Sequence, residues 1–256
     1  MDLGLQDRIA LVTGGSRGIG RSIALGLADE GVRVAICARG EEKLMETAAE
    51  LRASGAEVLP IVADLTTVDG AGTIVERTVA QFGGLDILIN NVGAGVPSAF
   101  TETDDDSWQA AINLNIWSSI RASRLAIPHL KARGGGVIII ISSIYGREWG
   151  GRSAYVTVKA AAIGLAKSLA RELAPSGIRV NSVAPGSIRF PGGGWDRRCI
   201  EQPEAMAEFV RLEMPYGRFG RPEEVANVVV FLCSERASLV SGACINVDGC
   251  QSRSLI

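Results

Sequence analysis

The stretch IALVTGGSRGIG, residues 9–20, decides the fold. Its first part, Ile9–Thr13, is an apolar run that predicts a buried strand, and a segment of helical periodicity begins near residue 19. Between them, glycines at positions 14, 18 and 20 allow the backbone to turn tightly and to approach a ligand closely. A strand, a glycine-rich turn and a helix start together predict a pyrophosphate site at the positive end of that helix.

The alternation of strand and helix continues to the end of the chain. Short apolar runs predict strands at Ile9–Thr13, Val32–Cys37, Val58–Val62, Ile87–Asn90, Val137–Ser142, Arg179–Val183 and Cys244–Val247. Amphipathic segments predict helices near 19–30, 41–54, 69–82, 104–131, 153–174 and 222–234. Strands that are apolar throughout are typical of a sheet covered on both faces. We therefore predict a single α/β domain over residues 1–256, a Rossmann fold with a doubly wound, seven-stranded parallel sheet and helices on both faces.

Composition and charge argue against several classes of protein. The 256 residues carry 26 Lys+Arg and 28 Asp+Glu, a net charge of −2, without the positive excess typical of nucleic-acid binding. No apolar run reaches the roughly 18 residues that span a membrane, and the N-terminus shows no secretory signal. The 5 cysteines include no C-x-x-C pair, and the single histidine, His129, rules out a multi-histidine metal centre. We expect a cytoplasmic protein with no metal site, no nucleic-acid partner and no membrane partner.

The second informative motif is YVTVK, residues 155–159. Positions i and i+4 of a helix lie on one face, so the Lys159 ammonium is expected near the Tyr155 phenol. A neighbouring cation favours the phenolate and lowers the pKa of the phenol from about 10. Tyr155 is therefore predicted to act as a general acid/base near neutral pH.

Together these motifs resemble the short-chain dehydrogenase/reductase family in its single-domain form. The glycine-rich turn matches the T-G-x-x-x-G-x-G pattern of that family rather than G-x-G-x-x-G. Further matches are NNVG at 90–93, Asp64 after the third strand, Asn181 and Pro185-Gly186 in and after the sixth, GRPEEVA at 220–226 and VDG at 247–249. The resemblance covers nearly the whole chain. Within the family, the chain is similar to the 3-oxoacyl-[acyl-carrier-protein] reductase-like members.

The resemblance implies four catalytic residues. Tyr155 corresponds to the general acid/base, and Lys159 to the partner that lowers its pKa and binds the nicotinamide ribose. Ser143 corresponds to the serine that hydrogen-bonds the substrate oxygen, with Ser142 as an alternative because the commonest family spacing is one residue longer. Asn115 corresponds to the asparagine that holds a proton-relay water, and it is preferred to the asparagine two residues earlier for its spacing from an upstream tryptophan.

The cofactor implied by the resemblance is a nicotinamide dinucleotide, and the second strand indicates which form. An NAD site needs a carboxylate at the end of that strand to bind the ribose hydroxyls. Here the strand ends at Arg39 without an acid, and Arg39 and Arg17 supply cations suited to a 2′-phosphate. NADP(H) is therefore expected, with NAD(H) as the alternative. The expected cofactor-binding residues are Gly14, Ser16, Arg17, Gly18, Ile19, Gly20, Arg39, Asp64, Leu65, Asn91, Gly93, Tyr155, Lys159, Pro185, Gly186 and Ile188.

A long irregular insert at about 187–216 interrupts the strand–helix rhythm, with a short helix expected at 203–213. Inserts of this length are usually functional, which predicts a lid over the substrate. Within it, Phe190 stands where many relatives have a threonine that contacts the cofactor. The expected substrate contacts are Ser143, Trp149, Tyr155 and Trp195, and the other two tryptophans are expected in the core. Four arginines near the pocket mouth either favour an anionic substrate or are solvated loop charges: Arg147, Arg189, Arg197 and Arg198.

The sequence thus predicts an NADP(H)-dependent oxidoreductase that interconverts a ketone and a secondary alcohol by hydride transfer. One alternative is an NAD-dependent alcohol, polyol or sugar dehydrogenase that works in the oxidative direction. A second is a non-catalytic cofactor sensor, which should lack part of the four-residue set. Enoyl reductases of the same fold space their tyrosine and lysine more widely than Tyr155 and Lys159. The resemblance also implies a homotetramer or homodimer that acts on a small-molecule carbonyl or alcohol.

Overall fold

The strands form a sheet in which every neighbouring pair is parallel. The computed structural model describes residues 2–95 and 99–255, and its strands are β1 Ile9–Thr13, β2 Arg33–Ala38, β3 Val58–Val62, β4 Ile87–Asn90, β5 Gly136–Ile141, β6 Ile178–Pro185 and β7 Cys244–Val247. Their order across the sheet is β3-β2-β1-β4-β5-β6-β7. The predicted doubly wound, seven-stranded parallel sheet is confirmed, with strand ends displaced by one or two residues.

Helices cover both faces of this sheet. Those of the described residues are α1 Gly18–Asp29, α2 Glu41–Ala53, α3 Val68–Phe82, α4 Asp105–Ile112, α5 Ser118–Ala132, α6 Ser153–Leu173, α7 Gly194–Glu201, α8 Pro203–Glu213 and α9 Pro222–Cys233. Along β1, Ala10 and Val12 pack with α1, α2 and α9, whereas Ile9 and Leu11 pack with α3, α5 and α6. Because both faces are covered, the strand is apolar at every position. None of the helices in the described part of the chain is long and apolar enough to cross a bilayer.

The segment predicted as one helix at 104–131 is divided into α4 and α5. Residues Asn113–Trp117 between them form a π-helical turn, a feature that is frequent at functional sites. Trp108 is half-buried and Trp117 is 39% exposed, so the prediction that both lie in the core is wrong. The Trp117 ring instead lies 5.3 Å from the guanidinium of Arg121 on the helix surface.

The insert that follows β6 contains α7 and α8, and the helix expected at 203–213 is confirmed. A small aromatic cluster holds these helices together. Trp195 on α7 stacks on Phe209 of α8 with ring centroids 4.8 Å apart, and Phe209 stacks on Phe219 at 6.1 Å. Main-chain bonds between Gly220 and the beginning of the insert, at 2.9 and 3.0 Å, anchor its base.

The topology places the predicted motifs along one edge of the sheet. The strand order reverses between β1 and β4, and in doubly wound sheets ligands bind at this reversal, outside the carboxyl ends of the strands. The glycine-rich turn follows β1, Asn91 follows β4, Ser143 follows β5 and Gly186 follows β6. Parallel strands bring these segments together although they lie far apart in sequence.

Candidate active site

A cavity of about 1090 Å³ lies at the carboxyl ends of the strands. Ordinary ligand pockets have volumes of roughly 300–1,000 Å³, so this cavity has room for a dinucleotide and a small substrate. Of the expected cofactor-binding residues, all except Gly18 line it. Ser143, Tyr155 and Lys159 also line the cavity, whereas Asn115 lies outside the lining.

The glycine-rich turn is closed tightly against the start of α1. Gly14 has φ +65°, and a Cβ at Gly20 would lie only 2.2 Å from the main-chain oxygen of Gly14. The Asn91 side chain donates to the main-chain oxygens of Thr13 at 2.9 Å and Gly14 at 3.2 Å, which ties the turn to the end of β4. Glycine is therefore required at positions 14 and 20 for reasons of geometry.

The N-terminus of α1 is electrostatically suited to an anion. Arg17, its N-cap residue, makes no side-chain capping bond, and the first turn contains no acidic residue. The positive end of the helix dipole is thus left without a compensating negative charge from its own first turn. A pyrophosphate fits this cradle of main-chain N–H groups.

Gly18 does not line the cavity because Phe190 covers it. A Cβ at Gly18 would lie 2.7 Å from the Phe190 ring, and the backbone there has φ +55°. Phe190 itself lines the cavity and comes from the insert. Gly18 therefore packs against the insert and joins it to the glycine-rich turn, and its expected contact with the cofactor stays a prediction.

Three cations line the end of the cavity beside β2: Arg17, Arg39 and Lys43. Lys43, in the first turns of α2, was not singled out from the sequence, although its position shortly after the end of β2 was an available signal. Asp64 is the one carboxylate among the described residues that line the cavity. It accepts from the main-chain nitrogen and the hydroxyl of Thr66 at 2.9 and 2.8 Å, and these bonds, with the charge of Arg39, lower its pKa.

Ser142 and Ser143, after β5, have different partners. Ser142 is buried, and its hydroxyl donates to the main-chain oxygen of Lys159 at 2.9 Å. Ser143 is hydrogen-bonded to the phenol of Tyr155, and its hydroxyl also accepts from the main-chain nitrogen of Tyr145 at 3.2 Å. The structure therefore brings Ser143, rather than Ser142, to the expected proton donor.

Lys159 is a buried cation at the inner end of the cavity, 5% exposed. Its Nζ donates to the main-chain oxygen of Ile141 at 3.1 Å and lies 5.7 Å from the centroid of the Tyr155 ring. Burial lowers the pKa of Lys159 from 10.5 to about 8.

The expected lowering of the pKa of Tyr155 by Lys159 is wrong for this structure. Burial raises the pKa of Tyr155, the hydrogen bond to Ser143 opposes this, and Tyr145 adds to the rise. The physical reason is where the Lys159 ammonium lies. It is placed over the aromatic ring of Tyr155 and donates a hydrogen bond to the main-chain oxygen of Ile141. The phenol of Tyr155 is consequently protonated at neutral pH.

Asn115 lies in the π-helical turn and is 3% exposed. Its side-chain nitrogen donates to the main-chain oxygens of Ala111 at 3.0 Å and Ala94 at 3.2 Å. A Cβ on Gly93 would lie 2.7 Å from Oδ1 of Asn115 and 3.0 Å from Nζ of Lys159. Only the bare backbone of Gly93 therefore separates Asn115 from Lys159.

A residue near the C-terminus, not identified from the sequence, positions the turn after β6. Gln251 is 7% exposed. Its Oε1 accepts from the main-chain nitrogen of Ser187 at 2.7 Å, and its Nε2 donates to the Ser187 hydroxyl at 2.9 Å. Gln251 thus holds the turn that carries the cavity-lining residues Pro185, Gly186 and Ile188.

Aromatic and basic side chains form the outer wall of the cavity. Trp149 and Trp195 line it as expected, and Trp149 is 90% exposed at the rim. Further lining residues that the sequence did not assign to the cavity are Tyr145, Arg152 and Phe209. This wall joins the loop before α6 to the two insert helices.

Within residues 2–95 and 99–255, no group of three or more His, Cys, Asp or Glu is placed to hold a metal ion. The cysteines there are free thiols, and burial raises the pKa of Cys37 and Cys233 to about 12. His129 lies in the last turn of α5.

Comparison with known proteins gives a consistent result. A family model described as enoyl-(acyl carrier protein) reductase matches residues 14–250. The 3-oxoacyl-[acyl-carrier-protein] reductase FabG of Staphylococcus aureus is 37% identical over 246 residues, which are 94% of this chain and 96% of that protein.

Solved structures agree with this over the full length. L-sorbose reductase from Gluconobacter frateurii, complexed with NADPH and L-sorbose, superposes with a TM-score of 0.95 at 36% identity and 100% coverage of both chains. A 7α-hydroxysteroid dehydrogenase complexed with NADH and 7-oxo glycochenodeoxycholic acid gives 0.91 at 30% identity, covering 100% of this chain and 98% of that one. The chain belongs to the short-chain dehydrogenase/reductase family, whose enzymes interconvert alcohols and carbonyl compounds.

Proposed function

We propose that the protein is an NADP(H)-dependent reductase that converts a ketone to a secondary alcohol, with Tyr155 as the proton donor. The observation that carries this proposal is the meeting of Ser143, Tyr155 and Lys159 at the inner end of a cavity that also contains the glycine-rich turn. A phenol is protonated at neutral pH, and this is the form that donates a proton to a carbonyl oxygen in the reductive direction.

The residues of the cavity fit a nicotinamide dinucleotide. The closed turn at Gly14 and Gly20 would hold its pyrophosphate, and a Cβ at Gly93 would fill the space beside Lys159 that the nicotinamide ribose would share. The bound cofactor would supply the hydride. Pro185, Gly186 and Ile188 form the wall that would orient the nicotinamide.

The charge near β2 supports NADP(H) over NAD(H). Arg17, Arg39 and Lys43 offer three cations, whereas Asp64 is already engaged by Thr66. Guanidinium groups suit a 2′-phosphate, and a site for NAD would instead present a carboxylate to the ribose hydroxyls. Among the related structures, the sorbose reductase contains NADPH and the hydroxysteroid dehydrogenase contains NADH, so the choice depends on these residues.

The protein's part in the reaction is to bind and protonate the carbonyl oxygen. Ser143 and Tyr155 would both donate hydrogen bonds to that oxygen, where negative charge develops in the transition state. Tyr155 would then give its proton to that oxygen, and the Lys159 ammonium, 5.7 Å from the centroid of the Tyr155 ring, would bind the nicotinamide ribose. Asn115, behind Gly93, would help to return a proton through water.

Carbonyl reduction is favoured over reduction of a carbon–carbon double bond, which the description of the matching family model names. The names of the relatives refer to a 3-oxoacyl thioester, a ketose and a 7-oxo steroid, and each of these compounds contains a ketone. A thioester pair tests the choice directly. We expect NADPH oxidation with acetoacetyl-CoA or another ketone and none with crotonyl-CoA, and the reverse result would refute the proposal.

The mechanism is tested by Tyr155→Phe, which removes only the hydroxyl. We expect turnover of any accepted ketone to fall by at least about 10³-fold, since both the proton and an oxyanion donor are lost. Binding of NADPH, followed by the fluorescence of the nicotinamide, should change less than threefold. Unchanged turnover would refute the role of Tyr155. Tyr216→Phe, at an exposed tyrosine outside the cavity lining, is the matched control.

We also propose that the insert acts as a lid and that copies of the chain associate. The insert contacts the glycine-rich turn through Phe190, which packs on Gly18, and through Arg17, which donates to the main-chain oxygen of Gly192 at 3.5 Å.

Association of copies is supported by the position of β7 at the edge of the sheet and by Leu239, which precedes β7 and is 96% exposed. Most of Val228–Cys233 is buried in the core instead, with Phe231 exposed.

A further inference from the structure

The outer wall of the cavity contains a guanidinium group that makes no ion pair or side-chain hydrogen bond within the described part of the chain. Arg198, on α7, lines the cavity together with Trp149, Trp195 and Arg152. It forms no ion pair with any carboxylate in the part of the chain that the structure describes. A cation on the wall of a partly enclosed cavity attracts an anion more strongly than one in open water.

The other three arginines expected near the mouth are engaged by the protein. Arg147 donates to the main-chain oxygen of Cys244 at 2.7 Å. Arg189 pairs with Asp196 at 3.0 Å, and Arg197 donates to the main-chain oxygen of Gly192 at 2.9 Å. None of these three lines the cavity. Of the four arginines that the sequence offered for binding an anionic substrate, Arg198 is therefore the one placed to do so.

Arg198 lies against an aromatic side chain of the same helix. Its guanidinium carbon lies over the Trp195 ring, 5.0 Å from the ring centroid, and that ring stacks on Phe209. A guanidinium over an aromatic ring keeps the N–H groups at its edge available for other partners. The edge can then donate two parallel hydrogen bonds to a carboxylate or phosphate.

The carboxylates around this wall have partners in the C-terminal segment. Glu213 pairs with the Arg253 guanidinium at 3.1 Å. Glu148 accepts from the Ser252 hydroxyl at 3.0 Å and from the main-chain nitrogen of Arg253 at 2.9 Å. Burial, Glu213 and Glu148 raise the pKa of Tyr145, and the charge of Arg198 opposes them. Tyr145 and Arg198 both line the cavity.

We propose that Arg198 is a specificity-determining residue that binds a carboxylate or phosphate group on the substrate, beyond its reacting ketone. The preferred substrates are then anionic ketones with an apolar or aromatic portion that lies between Trp149 and Trp195. The inference rests on the proposed reductase function, and it adds the chemical class of the substrate to it.

The test compares matched charged and neutral ketones. The carboxylate arm is 4-acetylbenzoate against its methyl ester. The phosphate arm is acetoacetyl-CoA against the acetoacetyl thioester of N-acetylcysteamine, which keeps the thioester and lacks the phosphates. For each pair the ratio of kcat/KM, charged over neutral, is measured in the wild type, in Arg198→Gln and in Arg197→Gln. Arg197 is a suitable control because it is a neighbouring arginine of the same helix outside the cavity lining.

We expect Arg198→Gln to reduce the ratio by about 10- to 100-fold in at least one arm, as for loss of a hydrogen bond to a charged group. The arm that responds identifies the anion, and Arg197→Gln should leave both ratios unchanged. Equal ratios in all three proteins would overturn the proposal. A weaker affinity of Arg198→Gln for NADPH with unchanged ratios would also overturn it, because Arg198 would then serve the cofactor.

Binding provides a readout that does not depend on turnover. The affinity of the protein–NADP+ complex, which cannot reduce a ketone, for 4-acetylbenzoate and for acetoacetyl-CoA is followed by tryptophan fluorescence. It should weaken in Arg198→Gln and not in Arg197→Gln. Absence of turnover with all ketones would refute the reductase function while this comparison still decides the role of Arg198. Equal affinities in the three proteins for both anions would refute the anion site itself.

Discussion

Replacement of Lys159 by methionine should make the protein more stable while abolishing its proposed activity. Lys159 is a buried ammonium whose pKa falls from 10.5 to about 8 in the folded protein. At about 1.4 kcal/mol for each pH unit, this difference corresponds to a cost of about 3 kcal/mol for keeping the charge buried at pH 7. Methionine has a similar length and no charge, so Lys159→Met removes that cost.

The net gain is smaller because one hydrogen bond is lost. Nζ of Lys159 donates to the main-chain oxygen of Ile141 at 3.1 Å, and a bond of this kind contributes about 1 kcal/mol. We expect a net gain of about 2 kcal/mol, or a rise in Tm of about 4–8 °C for a domain of this size.

The gain should depend on pH with a defined sign. The unfolded lysine keeps its proton up to about pH 10.5, whereas the folded one loses it above about pH 8. Wild-type stability therefore rises between these two values, and the advantage of Lys159→Met is complete below pH 8 and shrinks to less than about 1 kcal/mol by pH 10.

The assay is urea unfolding of both proteins at pH 6, 7 and 10, followed by circular dichroism. Lys167→Met is the control, because Lys167 is exposed on the same helix and also donates to a main-chain oxygen, that of Gly242 at 3.1 Å. We expect no stabilisation in the control. A variant at position 159 that is no more stable than the wild type at pH 7, or equally stabilised at all three pH values, would refute the reasoning.

Two further predictions concern the serine pair and the cofactor. Ser143→Ala should lower kcat/KM by about 10²–10³-fold through loss of a donor to the developing oxyanion. Ser142→Ala should mainly lower the free energy of unfolding, by about 1 kcal/mol, because its buried hydrogen bond to the main-chain oxygen of Lys159 is lost. Kinetics and urea unfolding of both variants check this, and the opposite assignment would contradict it. Arg39→Asp should shift the ratio of kcat/KM for NADPH over NADH toward NADH by at least about 10-fold, since a carboxylate repels the 2′-phosphate and binds ribose hydroxyls; an unchanged ratio would show that Arg17 and Lys43 suffice.

The fold and the cofactor end of the site could be predicted from the sequence because their signals are local. A strand, a glycine-rich turn and a helix start are neighbours in the chain, and the steric need for glycine at positions 14 and 20 follows from the turn they form. The four-residue spacing of Tyr155 and Lys159 likewise places both on one face of α6. Such patterns survive in any tertiary context that preserves the local backbone.

Other features depended on contacts between distant residues. The packing of β5 against α6 brings the Ser142 hydroxyl to the main-chain oxygen of Lys159, to which it donates. Ser143 is then the serine that interacts with the phenol of Tyr155. Burial at the end of β5 determines that the pKa of Tyr155 rises and that of Lys159 falls, and sequence spacing carries no information about burial. The Trp117 prediction failed for the same reason, because the sequence does not show that this side chain, in the π-helical turn, is 39% exposed.

The sequence by itself therefore determined the strand–helix alternation, the glycine-rich turn and the spacing of Tyr155 and Lys159, since each is encoded by residues that lie close together in the chain. The tertiary structure alone decided which of four nearby arginines faces the cavity without a partner. Arg147, Arg189 and Arg197 are neutralised or bound by groups that folding brings to them, and Arg198 is left on the cavity wall against Trp195. Charge availability is a property of the surroundings of a side chain, and those surroundings exist only once the chain has folded.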